Sequence, residues 1–272
     1  MSQRLPRELD GRRAALVVAH PGHELRVHGW LELARPSVWV LTDGSGHGEL
    51  GRLGSTEALL ARAGAAPGAI FGRLTDRAAY DLIFGRDTRA VVELAAELAA
   101  ALVEEDVDYV AGDALEGFNP VHDLCRVLID AAVAIARSRG HGRLGHPLSF
   151  DFPLEAPPDE RPPGRTGDGV LLELDVAALA RKLAAARAYP ELAAEVEATL
   201  ARHGPQAFRR ERLRPVPREG PLAEQVKEKP FYETHGERQV AAGHYRTVLR
   251  FREHFLPLAE EIAAWTARAC GS

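Results

Sequence analysis

"VVAHPGHELRVHGW", Val17 to Trp30, decides how this 272-residue chain is read. "RRAALVVAH", residues 12–20, is a short unbroken apolar run up to its histidine. That is the pattern of a strand buried on both faces of a parallel sheet, not of a strand with one wet face. The run stops at His20. Pro21-Gly22 forces a turn, and beyond it Leu25, Trp30 and Leu33 recur at helical spacing on one face. A buried strand that turns into a helix is the first half of a βαβ unit. Two imidazoles, His20 and His23, then flank the strand's carboxyl end, where such sheets bind ligands.

The alternation continues. "SVWVLTDG" (37–44) is a second apolar run and leads into a glycine-rich loop, "GSGHGELGRLGS". "STEALLARAGA" (55–65) and "DTRAVVELAAELAAALVEE" (87–105) read as helices, the second capped by Asp87 or Thr88. "VDYVAGD" (107–113) is another buried strand, and "HDLCRVLIDAAVAIARSRG" (122–140) a helix stopped by Gly140. "LSFDFPLE" and "GVLLELD" read as strands flanking a Pro/Gly-rich insertion at 156–169. The last third reads as helical, including "DVAALARKLAAARAYP", "ELAAEVEATLARHG" and "RQVAAGHYRTVLRFREHF". The expected fold is α/β, a doubly wound, mostly parallel sheet with helices on both faces. We expect one domain over 1–272, with a helical C-terminal extension from about 205.

Composition narrows the function. Hydrophobic residues make up 46% and the formal charge is −5, so there is a core to bury and no basic footprint for nucleic acid. No apolar stretch approaches a membrane span, and the first residues show no leader. Two cysteines, Cys125 and Cys270, suit a reducing cytoplasm. The first strand turns through His-Pro-Gly-His rather than G-x-G-x-x-G, which disfavours a dinucleotide cofactor. No G-x-S-x-G elbow follows a strand, which disfavours a serine triad.

The histidines carry the chemistry. His20 ends a strand and His23 opens the next helix, so both rings can face one point. "FNPVHD" offers His122 at another strand-to-helix junction. Three neutral imidazoles with an open position are the pattern of a catalytic zinc site; iron or nickel would also accept them. His28 and His141 are read as surface residues.

These segments resemble the PIG-L/LmbE de-N-acetylase family. "VVAHPGHE" is similar to its "AHPDDE" signature, "GFNPVHD" to its "HPDH" motif, "VLTDGSGHG" to its glycine-rich loop, and "DVAALARKLAAARAYP" to a later lysine-bearing helix. The resemblance covers most of residues 13–190. It implies a Rossmann-like fold, a metal held by His20, His23 and His122, and removal of an N-acyl group from a sugar or sugar-like small molecule. The departures are specific. His23 replaces an aspartate ligand, Gly22 replaces the aspartate that serves as base, and Asn119 replaces the first histidine of the second motif. Three neutral histidines leave the ion more positive, which favours hydroxide; in carbonic anhydrase such a site brings bound water to a pKa of about 7.

The remaining expectations follow from position. Glu24 is the nearest carboxylate, a catalytic candidate better read as orienting a ligand. His47 can reach the rim as an acid, and Asn119 can donate to a developing oxyanion. Asp43 can bond a ligand histidine or a sugar hydroxyl, and Asp123 caps its helix. Arg73, with Arg77 and Tyr80, lines the cleft. His235 in "FYETHGE" contacts substrate or supplies a proton, or else caps a docked helix. The partner is a small molecule, a glycoside or amino sugar, with homo-oligomerisation left open. The alternatives are a family member that holds metal without catalysis, or a zinc hydrolase acting on another carbonyl bond such as an ester.

Overall fold

The apolar runs become adjacent strands of one sheet in the computed structural model, which describes residues 4–46, 51–140, 147–154, 169–216 and 228–271. The strands are β1 (Ala14–Val18), β2 (Ser37–Thr42), β3 (Ala66–Leu74), β4 (Tyr109–Asp113), β5 (Leu148–Phe152), β6 (Val170–Glu173) and β7 (Arg210–Pro215). Their order is β3-β2-β1-β4-β5-β7-β6, parallel from β3 to β5, with β7 antiparallel to both β5 and β6. β1 and β4 are buried at every residue, as an unbroken apolar run requires. The chain winds away from β1 in opposite directions, to β2 and to β4. The crevice between β1 and β4 is therefore the switch point of the sheet.

Alternate residues of β1 enter two cores. Ala15, Val17 and Ala19 pack with α4 (Thr88–Glu104), α5 (Pro120–Ser138) and the last helix, Leu256–Gly271. Leu16 and Val18 pack with α1 (His28–Ala34) and α2 (Leu53–Ala63) on the opposite face. α3 (Asp76–Gly85), α6 (Val176–Arg187), α7 (Ala193–His203) and α8 (Phe231–Ala241) complete the set, and the last helix is α9. Among the described residues no helix is long and apolar enough to cross a membrane.

Four features differ from the sequence reading. β3 and α3 were not expected: proline and two glycines interrupt the β3 run, and its pairing with β2 slips twice. The segment from about 205 is not all helix, because the charged "RERLRP" forms β7. The helix expected over 238–255 ends at Ala241; Gly243 takes φ 78°, and helix resumes only at Phe251. Arg250 fastens this excursion to Glu233 and Glu237 of α8. The Pro/Gly segment at 156–168 and His141 lie outside the described residues.

The fourth difference is the helix after β1. Residues His23–Val27 form a tight 3-10 turn, and α1 starts only at His28. A buried ion pair stands in the gap. Glu211 of β7 accepts the backbone N–H groups of Gly29 and Trp30, both at 2.8 Å. Lys182 of α6 donates to that carboxylate at 2.8 Å and to the carbonyl of Arg26 at 2.9 Å. A continuous helix would have joined Trp30 N–H to Arg26 C=O directly. The pair takes both groups instead, and the carboxylate sits on the positive end of α1. Gly29 is needed there, since a Cβ would strike Leu174 and crowd Glu211. His28, expected at the surface, is buried beside this pair, and burial lowers its pKa.

Lys182→Met leaves the Glu211 carboxylate buried without its cation. Chemical denaturation is expected to show a loss of about 3–5 kcal/mol, and the double variant Lys182→Met/Glu211→Gln a smaller one.

Candidate metal centre

His20 follows β1, and His122 lies in the first turn of α5, which β4 feeds. Gly22 makes the turn between His20 and His23 with φ 106°, a conformation that favours glycine. Asn119 caps α5, its side-chain oxygen accepting from Val121 N at 2.8 Å, and Pro120 occupies the first helical position. The three rings meet edge to face. Their centres are 5.4 Å apart for His20–His23, 5.1 Å for His20–His122 and 4.5 Å for His23–His122.

Two of the rings are oriented from behind. His20 Nδ1 lies 2.8 Å from Thr42 Oγ1 and 2.9 Å from Asp76 Oδ1. The Thr42 hydroxyl donates to the carbonyl of Ala19, so it accepts from His20 Nδ1–H. His20 Nε2 is left with its lone pair, buried and without a partner. His23 Nδ1 lies 2.9 and 3.0 Å from the two oxygens of Asp113. Asp113 also accepts from Ala19 N at 2.7 Å and is fully buried. Carboxylates behind imidazoles fix the tautomer and raise the basicity of the free nitrogen, the arrangement common behind metal ligands.

Electrostatics point the same way. Burial holds His20 below its ordinary pKa and His122 well below, so both are neutral near pH 7. Burial pushes Asp113 and Asp76 up. For Asp113 the charge and hydrogen bond of His23 more than offset it; for Asp76 the hydrogen bond and charge of His20 and the amide of Gly46 do, and both stay ionised. Among the described residues neither carboxylate is paired with lysine or arginine. Two buried carboxylates thus stand behind the three imidazoles, a combination that a divalent cation would balance.

Among the described residues no three or more His, Cys, Asp or Glu side chains form a group ready to hold a metal ion as they stand. The ring-centre spacings by themselves suit a shared ion. Imidazoles bound tetrahedrally at about 2.0–2.1 Å place their centres about 5 Å apart. The observed spacings bracket that value, and the tightest pair would open by a fraction of an ångström.

The other expected residues take varied places. Glu24 is fully buried; its carboxylate accepts from Gly22 N and Thr56 Oγ1, both at 2.8 Å. It braces the turn and is a positioning residue. Asn119 Oδ1 also receives the Tyr80 hydroxyl at 3.5 Å. Asp43 accepts from Ser45 N and bonds neither His20 nor His23; Asp76 and Thr42 serve His20 instead. Arg73 is exposed and pairs with Glu97 of α4, and Arg77 with Asp81, so neither is brought to the histidines. Asp123 accepts from the backbone of Glu116 and Gly117 and ties down the turn before α5; burial raises its pKa to about 7. His235 lies on α8, between Phe231 and Tyr245. His47 lies outside the described residues.

Sequence reasoning missed Thr42, Asp76 and the role of Asp113. Asp113 was visible as a strand end, but its pairing with His23 crosses 90 residues and has no local signal. It also missed the side of the site at Gly22. A Cβ there would come 2.5 Å from Leu192 Cδ1 and 3.8 Å from the Tyr189 ring. The turn after α6 therefore fills the space in which a side chain at 22 would stand.

No family model matches the sequence, and no curated protein does. Solved structures do match. The chain is similar to the conserved protein TT1542 of Thermus thermophilus, with 20% identity, TM-score 0.52, and 77% of this chain and 96% of that one covered. It is similar to the A40926 pseudoaglycone deacetylase Dbv21, with 20% identity, TM-score 0.52, and 78% and 99% covered. A triple mutant of a deacetylase involved in teicoplanin biosynthesis follows, with 16% identity, TM-score 0.50, and 72% and 88% covered. These likenesses establish the α/β fold.

Asp113→Asn would free the His23 ring. Chelator competition is expected to show zinc affinity about 10–100-fold weaker than wild type, the usual range for a residue behind a ligand. An unchanged affinity would mean that His23 is not a ligand.

Proposed function

We propose that this chain is a metal-dependent hydrolase that removes an N-acyl group from a small molecule of the glycoside or amino-sugar class. The observation that carries this reading is the convergence of His20, His23 and His122 at the switch point, with His20 and His23 backed by buried carboxylates. Two of the similar folds belong to deacetylases, which supports the choice of reaction. Zinc is the first choice of ion, with iron or nickel as alternatives. When bound, such an ion supplies Lewis acidity toward a carbonyl oxygen and makes water a stronger acid.

The chain's own residues do the rest. Asp113 and Asp76 hold the His23 and His20 rings through their Nδ1 atoms. Glu24 and Thr56 hold the turn that spaces them; Tyr189 bonds Thr56 at 2.9 Å and so links that turn to the one after α6. Asn119 has its oxygen engaged, which leaves its amide N–H groups for a carbonyl oxygen as negative charge develops there. Amide cleavage also needs a proton for the departing amine. His235 of α8 is our candidate for this step, connected to His122 through the Phe118 and Phe231 rings.

One observation favours a second reading, retention of metal without catalysis. The position at which the resemblance calls for a basic aspartate is a glycine at positive φ, and Leu192 and Tyr189 close over it. A side chain there would have to displace Leu192 Cδ1. Gly22→Asp is expected to destabilise the fold by about 1–3 kcal/mol from backbone strain alone, before the clash with Leu192 is counted. Thermal melts of Gly22→Asp with and without Leu192→Ala separate the two costs: the second substitution relieves only the steric part.

The readings are decided by loading the protein with zinc and assaying acetate release from a panel of N-acetyl glycosides and simple amides, with an activated acetate ester alongside. The hydrolase reading expects acetate from the amides, and loss of it in His20→Ala. Stoichiometric zinc with no amide turnover favours the second reading, and turnover of the ester alone favours hydrolysis of a different carbonyl bond.

A further inference from the structure

The buried pair that fixes the start of α1 has a third ionisable neighbour. His28 is the first residue of α1 and lies buried. Its Nδ1 is enclosed and makes no hydrogen bond among the described residues. Four charged groups face it: Glu32 one turn further along α1, Glu211 of β7, and Arg181 and Lys182 of α6. From the tight turn His23–Val27, Arg26 adds positive charge beside Lys182. Around the ring itself two carboxylates and two cations thus balance, and the ring between them is neutral.

Neither carboxylate is spare for a further cation. Glu211 accepts from Gly29 N, Trp30 N and Lys182 Nζ, each at 2.8 Å. Glu32 is held by Arg181, through Nε at 2.7 Å and Nη2 at 2.9 Å. A proton on His28 therefore adds net charge to a buried group that is already balanced. It also puts a cation in the first turn of a helix, where cations are disfavoured. Burial alone holds the ring below its ordinary pKa. The closed packing accepts the neutral ring. The protonated ring is relieved by reaching water or by drawing a carboxylate off its partner, and either move undoes the start of α1.

We propose that His28 is an acid-operated catch on the start of α1: on taking up a proton it breaks the hold of Lys182 and Glu211 on the first turn and slackens the turn that carries His23. The lever is short. Lys182 donates to the carbonyl of Arg26, three residues after His23, and Glu211 accepts from Gly29 and Trp30 just beyond. When the pair lets go, the turn loses its downstream anchor, while Asp113 still holds the His23 ring upstream. The direction follows from linkage. The opened ring binds a proton near the value of a free histidine, about 6.5, and the closed ring only at lower pH. The closed form is therefore fully favoured above that value and is lost as the pH falls from it toward the folded one. The start of α1, rather than the whole fold, is then the part that yields in mild acid. The catch requires neither a bound ion nor turnover, so it stands or falls apart from the hydrolase reading.

The test is amide hydrogen exchange on the full chain, wild type against His28→Gln, between about pH 7.5 and about pH 5.5, each rate referred to the intrinsic exchange rate at its pH. At Gly29 and Trp30 the wild type is expected to lose up to about tenfold more protection than the variant, the largest shift that one histidine gives over that interval. The amides of α4 are expected to keep their protection in both. Every other histidine is common to the two proteins, so the difference reports His28. Equal losses in wild type and variant overturn the catch, and so does a loss in α4 that matches the one at α1. If His28→Gln does not fold, the wild type decides through an NMR titration of the His28 ring. A midpoint below about 6.5 that the Gly29 and Trp30 amide signals share supports the catch. A midpoint at or above that value, or amides that do not follow the ring, overturns it.

Discussion

Asp113 is the side chain on which the site depends. It ends β4, lies fully buried, accepts the backbone N–H of Ala19 just beyond β1, and holds the His23 ring. One carboxylate thus ties together two central strands and a candidate ligand. Burying a carboxylate is costly unless its charge is answered. Here it is answered by a backbone amide and by a histidine, with no lysine or arginine among the described residues. Asp76 repeats the scheme on the other side, with His20 and the amide of Gly46. The fold therefore places two buried carboxylates behind a ring of imidazole nitrogens. Those carboxylates, more than the histidine count, are the physical argument for a cation at this point.

The same logic shows why some of the site could be read from sequence and some could not. His20, His23 and His122 were legible because each sits where an apolar run gives way to helical spacing, with Pro or Gly marking the turn. Parallel-sheet topology then brings such turns to one edge without further information. Thr42 and Asp76 were hidden because their roles depend on which nitrogen of His20 faces inward, a tertiary fact. β3 was hidden by its own exposure: an edge strand broken by Pro67, Gly68 and Gly72 has no continuous apolar run. β7 was hidden by its charges. "RERLRP" reads as surface, yet Glu211 in its middle is buried because Lys182 and two backbone amides donate to it there.

Glu211 and Lys182 matter beyond their strand. By dividing the bond that Trp30 and Arg26 would otherwise share, they fix where α1 begins. Everything before that point, including His23 and Glu24, is left as a tight turn rather than a helix. His23 can then turn back toward Asp113 instead of following the helical face. A pair far from the histidines in sequence thereby decides the backbone on which one of them stands. This is also why the lysine of a helix rich in alanine and arginine is fully enclosed.

The closed flank at Gly22 has to be weighed against the open one at Phe118. Leu192 and Tyr189 come from the turn after α6, and Tyr189 is bonded through Thr56 to Glu24, so this wall belongs to the brace that shapes the histidine turn. Replacing glycine there would disturb the brace as well as the wall. A side chain at 22 would therefore need both a strained backbone at positive φ and a shift of Leu192. The aromatic flank is built instead from stacked and edge-on rings, two of them exposed.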